Sequence, residues 1–318
     1  MRPFRLNWTV GLALIAPALC MCDAAHAGEA LITNQPADSL TVVDTDAMKA
    51  VAEIKLSGKP AGIALSPDKR RAYVTAPDGK TLFEIDVAAR KIARQLDVGG
   101  GPLGIAAHPS KAEVYVADWY AHKIAVVDTA SLSVVASIQV GESPSGLAVT
   151  PDGALLLSAD RDSDQISIID IATRTVVATV ATGKRPFGVT ISKDGKTAYT
   201  ANVASNDITV IDIASHKAVR TVAVGERPYA VALAAGRAFV TDQYTGTISV
   251  FDTASGTVEK AIDACDHPEG IEADAAEANV YVACWGDNVV LKIDAKTLSI
   301  LSKVKVGDGP RAFGKFLR

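Results

Sequence analysis

Short apolar runs, each ended by turn-forming residues, follow one another along nearly the whole chain. Residues 101–140 show the pattern well. Residues 103–108 form an apolar stretch after Pro102, and Pro109-Ser110-Lys111 reads as a turn. Over residues 113–118, Val114 and Val116 alternate with Tyr115 and Ala117. Residues 123–127 are rich in β-branched side chains and end at Asp128-Thr129, and residues 134–140 repeat the signal. β-Branched runs between turn residues predict strands, and no helical periodicity survives beyond the first 27 residues. The unit is therefore four strands.

That unit recurs in register. Proline stands at Pro60, Pro102, Pro144, Pro186, Pro228, Pro268 and Pro310. Aspartate keeps the same rhythm at Asp44, Asp86, Asp128, Asp170, Asp212, Asp252 and Asp294, including the one step that is two residues short. A repeat of about 42 residues with four strands is a propeller blade. Six full units run from Pro60. Residues 310–318 supply only a first strand, and residues 30–56 supply only the last three. The expected fold is an all-β, seven-bladed β-propeller with four-stranded blades, closed by the C-terminal strand pairing with the N-terminal blade. Such closure removes exposed edges and makes residues 28–318 one domain.

The N-terminus reads differently. Arg2 and Arg5 precede an apolar run over residues 8–19, followed by Ala25-His26-Ala27. These are the parts of a secretory signal peptide, and the run is too short to span a bilayer. Leu19 and Met21 are large for residues preceding a lipid-modified Cys20 or Cys22, so cleavage is expected after Ala27. The mature protein is expected in the periplasm, soluble and monomeric, with no membrane span. Cleavage removes two arginines and one aspartate, which leaves the chain slightly more acidic than its full-length charge of −4. There is then no global pull on nucleic acid. With 48% hydrophobic residues, 24 Gly and 14 Pro, the composition supports a core and excludes a disordered or collagen-like chain.

The units resemble the YVTN-type β-propeller repeat over essentially all of the mature chain. Tyr73-Val74-Thr75-Ala76, Tyr199-Thr200-Ala201-Asn202, Phe239-Val240-Thr241-Asp242 and Tyr281-Val282-Ala283-Cys284 carry the resemblance. Ser66-Pro67-Asp68, Thr150-Pro151-Asp152-Gly153 and Val127-Asp128-Thr129 add to it. Among such proteins the chain is most similar to exported, YncE-like bacterial propellers. The resemblance implies the fold; it implies function poorly, because members are mostly described as binding or surface proteins.

Residues present in every blade serve the blade. The recurrent Asp satisfies turn amides. Gly62, Gly104, Gly146, Gly188 and Gly270, with Ala230 and Ala312 in the same slot, open the crowded innermost strand. Function is expected where the repeat is broken, on the loop face at one channel mouth. In this architecture that face gathers the residues flanking the recurrent Pro and those ending the second strand. The expected ligand-binding residues are Asp118, Trp119, Tyr120, Asp160, Arg185, Phe187, Asn202, Arg227, Tyr229, Asp242, Tyr244, His267, Trp285 and Arg311. This mixture of aromatic faces, guanidiniums and carboxylates suits a small polar or aromatic molecule, or a peptide.

After cleavage only Cys265 and Cys284 remain. Cys265 takes the place of a Gly found three residues before most of the prolines, and Cys284 replaces an Asn or Asp. A disulfide is the first reading for an exported pair. A copper or zinc site built from Cys265, His267 and Cys284 is the second, and a pair of free thiols the third. No cofactor is firmly implied. The chain carries no Cys-x-x-Cys-His, His-Glu-x-x-His, P-loop or Gly-x-Ser-x-Gly motif. Three classes of function follow, in order: a non-catalytic ligand-binding or scaffold protein; a lactonase-like hydrolase using His267 and Glu269; and a binder of single-stranded nucleic acid stacking on Trp119, Tyr120 and Trp285. The interleaved Asp118, Asp160, Glu226, Asp242 and Asp266 argue against the last.

Overall fold

The computed structural model describes Met1, Pro3, Phe4 and residues 28–318. The apolar run of the expected signal peptide and its cleavage site at Ala27 lie outside the described residues. The described chain forms seven sheets around one axis. Blades 1 to 6 begin at Gly62–Leu65, Pro102–Ala107, Pro144–Val149, Pro186–Ile191, Pro228–Ala234 and Pro268–Ala273. In each, four antiparallel strands follow in sequence order from the axis outward.

Blade 3 shows why this sequence makes this sheet. Its second strand, Leu155–Asp160, and third, Gln165–Asp170, are buried along almost their whole length. Both faces of each pack against neighbouring blades, so they read as continuous apolar runs. The outermost strand, Thr175–Ala181, buries only Val180. The register shifts once between Pro144 and Leu147 and once between Ile168 and Ile169. These bulges strengthen the twist that lets blades stack around a ring. The apolar core lies between blades: Tyr115, Leu156 and Ile169 belong to one such cluster.

Near the axis the packing is too close for side chains. A Cβ on Gly104 would lie 1.7 Å from the Ser145 carbonyl oxygen, and one on Gly146 2.4 Å from that of Phe187. Hydroxyls then stitch blade to blade. Thr75 Oγ1 donates to the Leu103 carbonyl at 2.6 Å, and Ser145 Oγ to that of Phe187 at 3.1 Å.

Blade 7 joins the two ends of the chain. Glu29–Asn34, Ser39–Asp44 and Lys49–Lys55 form its outer three strands. The C-terminal segment runs antiparallel to Glu29–Asn34, bridging at Asn34–Pro310 and Ala30–Leu317. Arg311 N donates to Thr33 O at 2.7 Å, and Leu31 N to Phe316 O at 2.9 Å. The innermost strand is interrupted, however. Ala312 takes φ 46° and Gly314 φ 130°. Phe313–Gly314 thereby swings across to pair in parallel with Gly62 and Ile63 of blade 1. The Phe313 ring enters the channel, and the C-terminal segment fastens to blades 1 and 7 together.

Candidate functional site

Ala61, Leu103, Phe187 and Tyr229, each the residue after a recurrent Pro, gather in one buried cluster with Phe313. Three aromatic rings meet there: Phe187 and Tyr229 at 4.6 Å, Phe187 and Phe313 at 5.0 Å, Tyr229 and Phe313 at 5.3 Å between centroids. Trp119 covers Phe187 from above at 6.3 Å. Beside them Arg311 lies over the Tyr229 ring at 5.7 Å. Its Nε donates to Glu269 Oε2 at 2.7 Å, and Gln243 Nε2 donates to Glu269 Oε1 at 2.8 Å. The structure therefore brings Phe187, Tyr229, Arg311 and Glu269 together as a plug that closes the channel on this face. Burial holds the Tyr229 hydroxyl well above its ordinary pKa, so it stays neutral.

The ring of Asp and Asn side chains at the second-strand ends turns into the blades. Asp118 Oδ1 accepts from Gly101 N and Ala121 N, each at 3.1 Å. Asp160 accepts from Ser158 Oγ at 2.7 Å and Gly141 N at 3.0 Å, and burial raises its pKa. Asn202 Nδ2 donates to Asp207 and Thr209. Asp242 Oδ2 accepts from Ser249 Oγ at 2.7 Å and Thr247 Oγ1 at 3.0 Å, and burial pushes its pKa up to about 6. These four side chains hold loops to strands, and their hydrogen bonds point away from solvent.

The remaining expected residues form the rim. Tyr120, Tyr244 and Trp285 are exposed. Tyr120 stands apart, over Gly101. Arg185, Arg227 and Tyr244 line one recess of about 280 Å³ together with Arg161, Asn206 and Glu226. The Arg227 guanidinium lies 4.5 Å from the Tyr244 ring and donates to its hydroxyl at 2.9 Å, while the buried Arg227 Nε has no partner. Arg161 stacks on Trp119 at 5.4 Å and pairs with Asp162, which Arg185 also approaches at 3.8 Å. Glu226 apart, the recess presents cations. An edge-to-face run continues from Tyr244 through His267 to Trp285, at 5.8 and 6.2 Å. His267 Nδ1 meets Asp266 Oδ1 at 2.6 Å, an arrangement that orients an imidazole.

Cys265 and Cys284 are bonded to each other, with Cα atoms 5.9 Å apart. Both sulfurs are used in that bond, so neither is a thiolate for the alternative metal set with His267. Among the described residues no three His, Cys, Asp or Glu side chains are grouped as metal ligands.

The other end of the channel holds none of the expected site residues. There the axis opens into a cavity of about 750 Å³ walled by first-strand residues, Ile105, Leu147, Val189, Val231 and Ile271 among them. The signal was present: the third and fifth residues after the recurrent Pro are apolar in blade after blade. These positions keep the repeat rather than break it, so they read as ordinary core.

A family model described as a YncE-like β-propeller matches residues 16–112 and 149–236. A search of curated proteins finds no match. Among solved structures the chain is similar to hydrazine synthase of Kuenenia stuttgartiensis, at 21% identity and TM-score 0.72, over 80% of this chain and 89% of that one. It is also similar to a functionally unknown protein from Desulfotomaculum acetoxidans, at 15% identity and TM-score 0.75, over 89% of this chain and 99% of that one. At such identities the likeness is one of fold.

Proposed function

Because the chain belongs to the YncE-like β-propeller family, we propose that it acts as an exported, periplasmic binding propeller that holds a small anionic molecule at its loop face without converting it. One observation carries this reading. Guanidiniums from three different loops, Arg161, Arg185 and Arg227, converge on one recess beside the Tyr244 ring, and the Arg227 Nε is unpartnered there. Arginine offers planar, bidentate donors to carboxylate or phosphate, and a buried donor left without an acceptor favours a ligand that supplies one. The disulfide supports a place in an oxidising compartment.

Calorimetric titration with citrate and with inorganic phosphate tests the proposal. At least one should bind saturably, and Arg185→Ala and Arg227→Ala should each weaken it about tenfold, in line with about 1.5 kcal/mol for a charge-assisted hydrogen bond. Binding that is absent, or unchanged in both variants, rules the recess out. The His267–Asp266 contact favours a second reading, hydrolysis of a lactone. It requires turnover that His267→Ala abolishes with melting unchanged.

A further inference from the structure

The open end of the channel has features of a binding site that the loop face lacks. It is blind, because Phe313 and the aromatic rings beside it close the far end. Its volume of about 750 Å³ falls within the roughly 300–1,000 Å³ of small-molecule sites. The inner layer of the wall, Ile105, Leu147, Val189, Val231 and Ile271, is aliphatic throughout. The next layer toward the mouth, with Leu65, Val149, Ile191 and Leu233, is aliphatic too and only half-buried. Apolar surface left open to a narrow, poorly hydrated space favours an apolar guest.

The charges at the mouth separate into satisfied and available groups. Glu272 accepts from the backbone N–H groups of Phe316 and Leu317. Asp274 accepts from Ala278 N at 2.8 Å, and Glu277 from Ala235 N at 3.3 Å. Arg237 is tied outward to Glu259 at 2.7 Å. Lys193 and Lys315 are different. Their side chains are 80% and 71% exposed, and each approaches a single carboxylate, at 3.5 and 3.6 Å. The Lys193–Glu277 pair is solvent-accessible on both sides, and such pairs are weak and readily exchanged; Lys315 meets a buried Glu272 that two backbone N–H groups also hold.

We infer that this cavity is a second binding site, for an amphipathic anion whose apolar body enters the channel and whose single anionic head is met at the mouth by Lys193 and Lys315. When either ammonium group turns to a new partner, Glu272 keeps two backbone donors and Glu277 keeps one. A cationic head would have to displace Lys193 from Glu277 or Lys315 from Glu272.

The test is titration of the purified protein with dodecanoate and, in parallel, dodecyltrimethylammonium, both below their micelle concentrations. Dodecanoate should bind with one molecule per chain, at least tenfold more tightly than the cation. Ala107→Trp and Ala273→Trp place an indole in the cavity from half-buried wall positions and should abolish binding. A melting curve checks that each variant is folded. Lys193→Gln with Lys315→Gln changes only exposed side chains and should weaken dodecanoate about tenfold without affecting the cation. Absence of saturable binding, or wild-type binding by folded tryptophan variants, overturns the site. Equal affinity for the two surfactants, or no effect of the lysine pair, overturns the anionic head.

Discussion

Asp242 occupies a position that blades 4 and 7 fill with Asn202 and Asn34, and the three side chains do the same work of tying a loop to a strand. The carboxylate carries a cost the amides do not. All three are buried with Oδ1 unpartnered, but only the carboxylate ionises, and burial pushes its pKa up to about 6, against about 3.9 when unfolded. The folded state therefore holds the proton more tightly. This contribution to stability is fully present below about pH 4 and is lost as pH rises through about 6. Asp242→Asn should remove that dependence. Its stability relative to wild type should grow by about 2 kcal/mol between pH 4 and pH 7 in urea unfolding. Curves that stay parallel across that range would show that the carboxylate does not titrate as buried. Asp170, one of the recurrent turn aspartates, behaves oppositely: the backbone N–H of Thr173 holds it below the usual carboxylate range. Both kinds were visible as aspartates in the sequence. The side-chain direction that separates the clasp at Asp242 from a ligand contact was not.

At the scale of one blade, the disulfide replaces a hydrogen-bonded clasp. In blade 3, Gly141 N donates to Asp160 Oδ2 at 3.0 Å. In blade 6 Cys265 holds the Gly position and Cys284 the Asp position, and a covalent bond joins the same two places. This pairing was legible as the first of three readings because both cysteines break the repeat on one loop face of a chain expected to be exported. A bond closing a loop of about this length contributes roughly 3 kcal/mol. Cys265→Ser with Cys284→Ser should therefore lower the melting temperature, and protein denatured with chelator but no reductant should show no free thiols. Two thiols would mean the pair is held reduced, and metal analysis of the native protein would follow.

At the scale of the molecule, the last nine residues do three things. They supply the innermost strand of blade 7, place Phe313 in the plug, and bring Phe316 and Leu317 N–H groups to the buried Glu272 carboxylate. Deleting residues 310–318 removes all three and exposes the edge of Glu29–Asn34. The melting temperature should fall by roughly 10 °C or more, given a few degrees per kcal/mol for a domain of this size. A soluble truncated protein with unchanged melting would show that the ring does not depend on this closure.

The period, the four strands of each unit, the count of seven and the joining of the termini were all determined by the sequence. Each rests on spacing, alternation or register, which are local properties repeated many times. Which end of the channel is open was decided by tertiary structure alone. Phe187, Tyr229 and Phe313 stand in different blades and meet only across the axis, where their volume seals one mouth. Ala312 and Gly314 send the final strand across to blade 1. What fills a ring's centre depends on how side chains from all its blades share one space, and no single repeat contains that information.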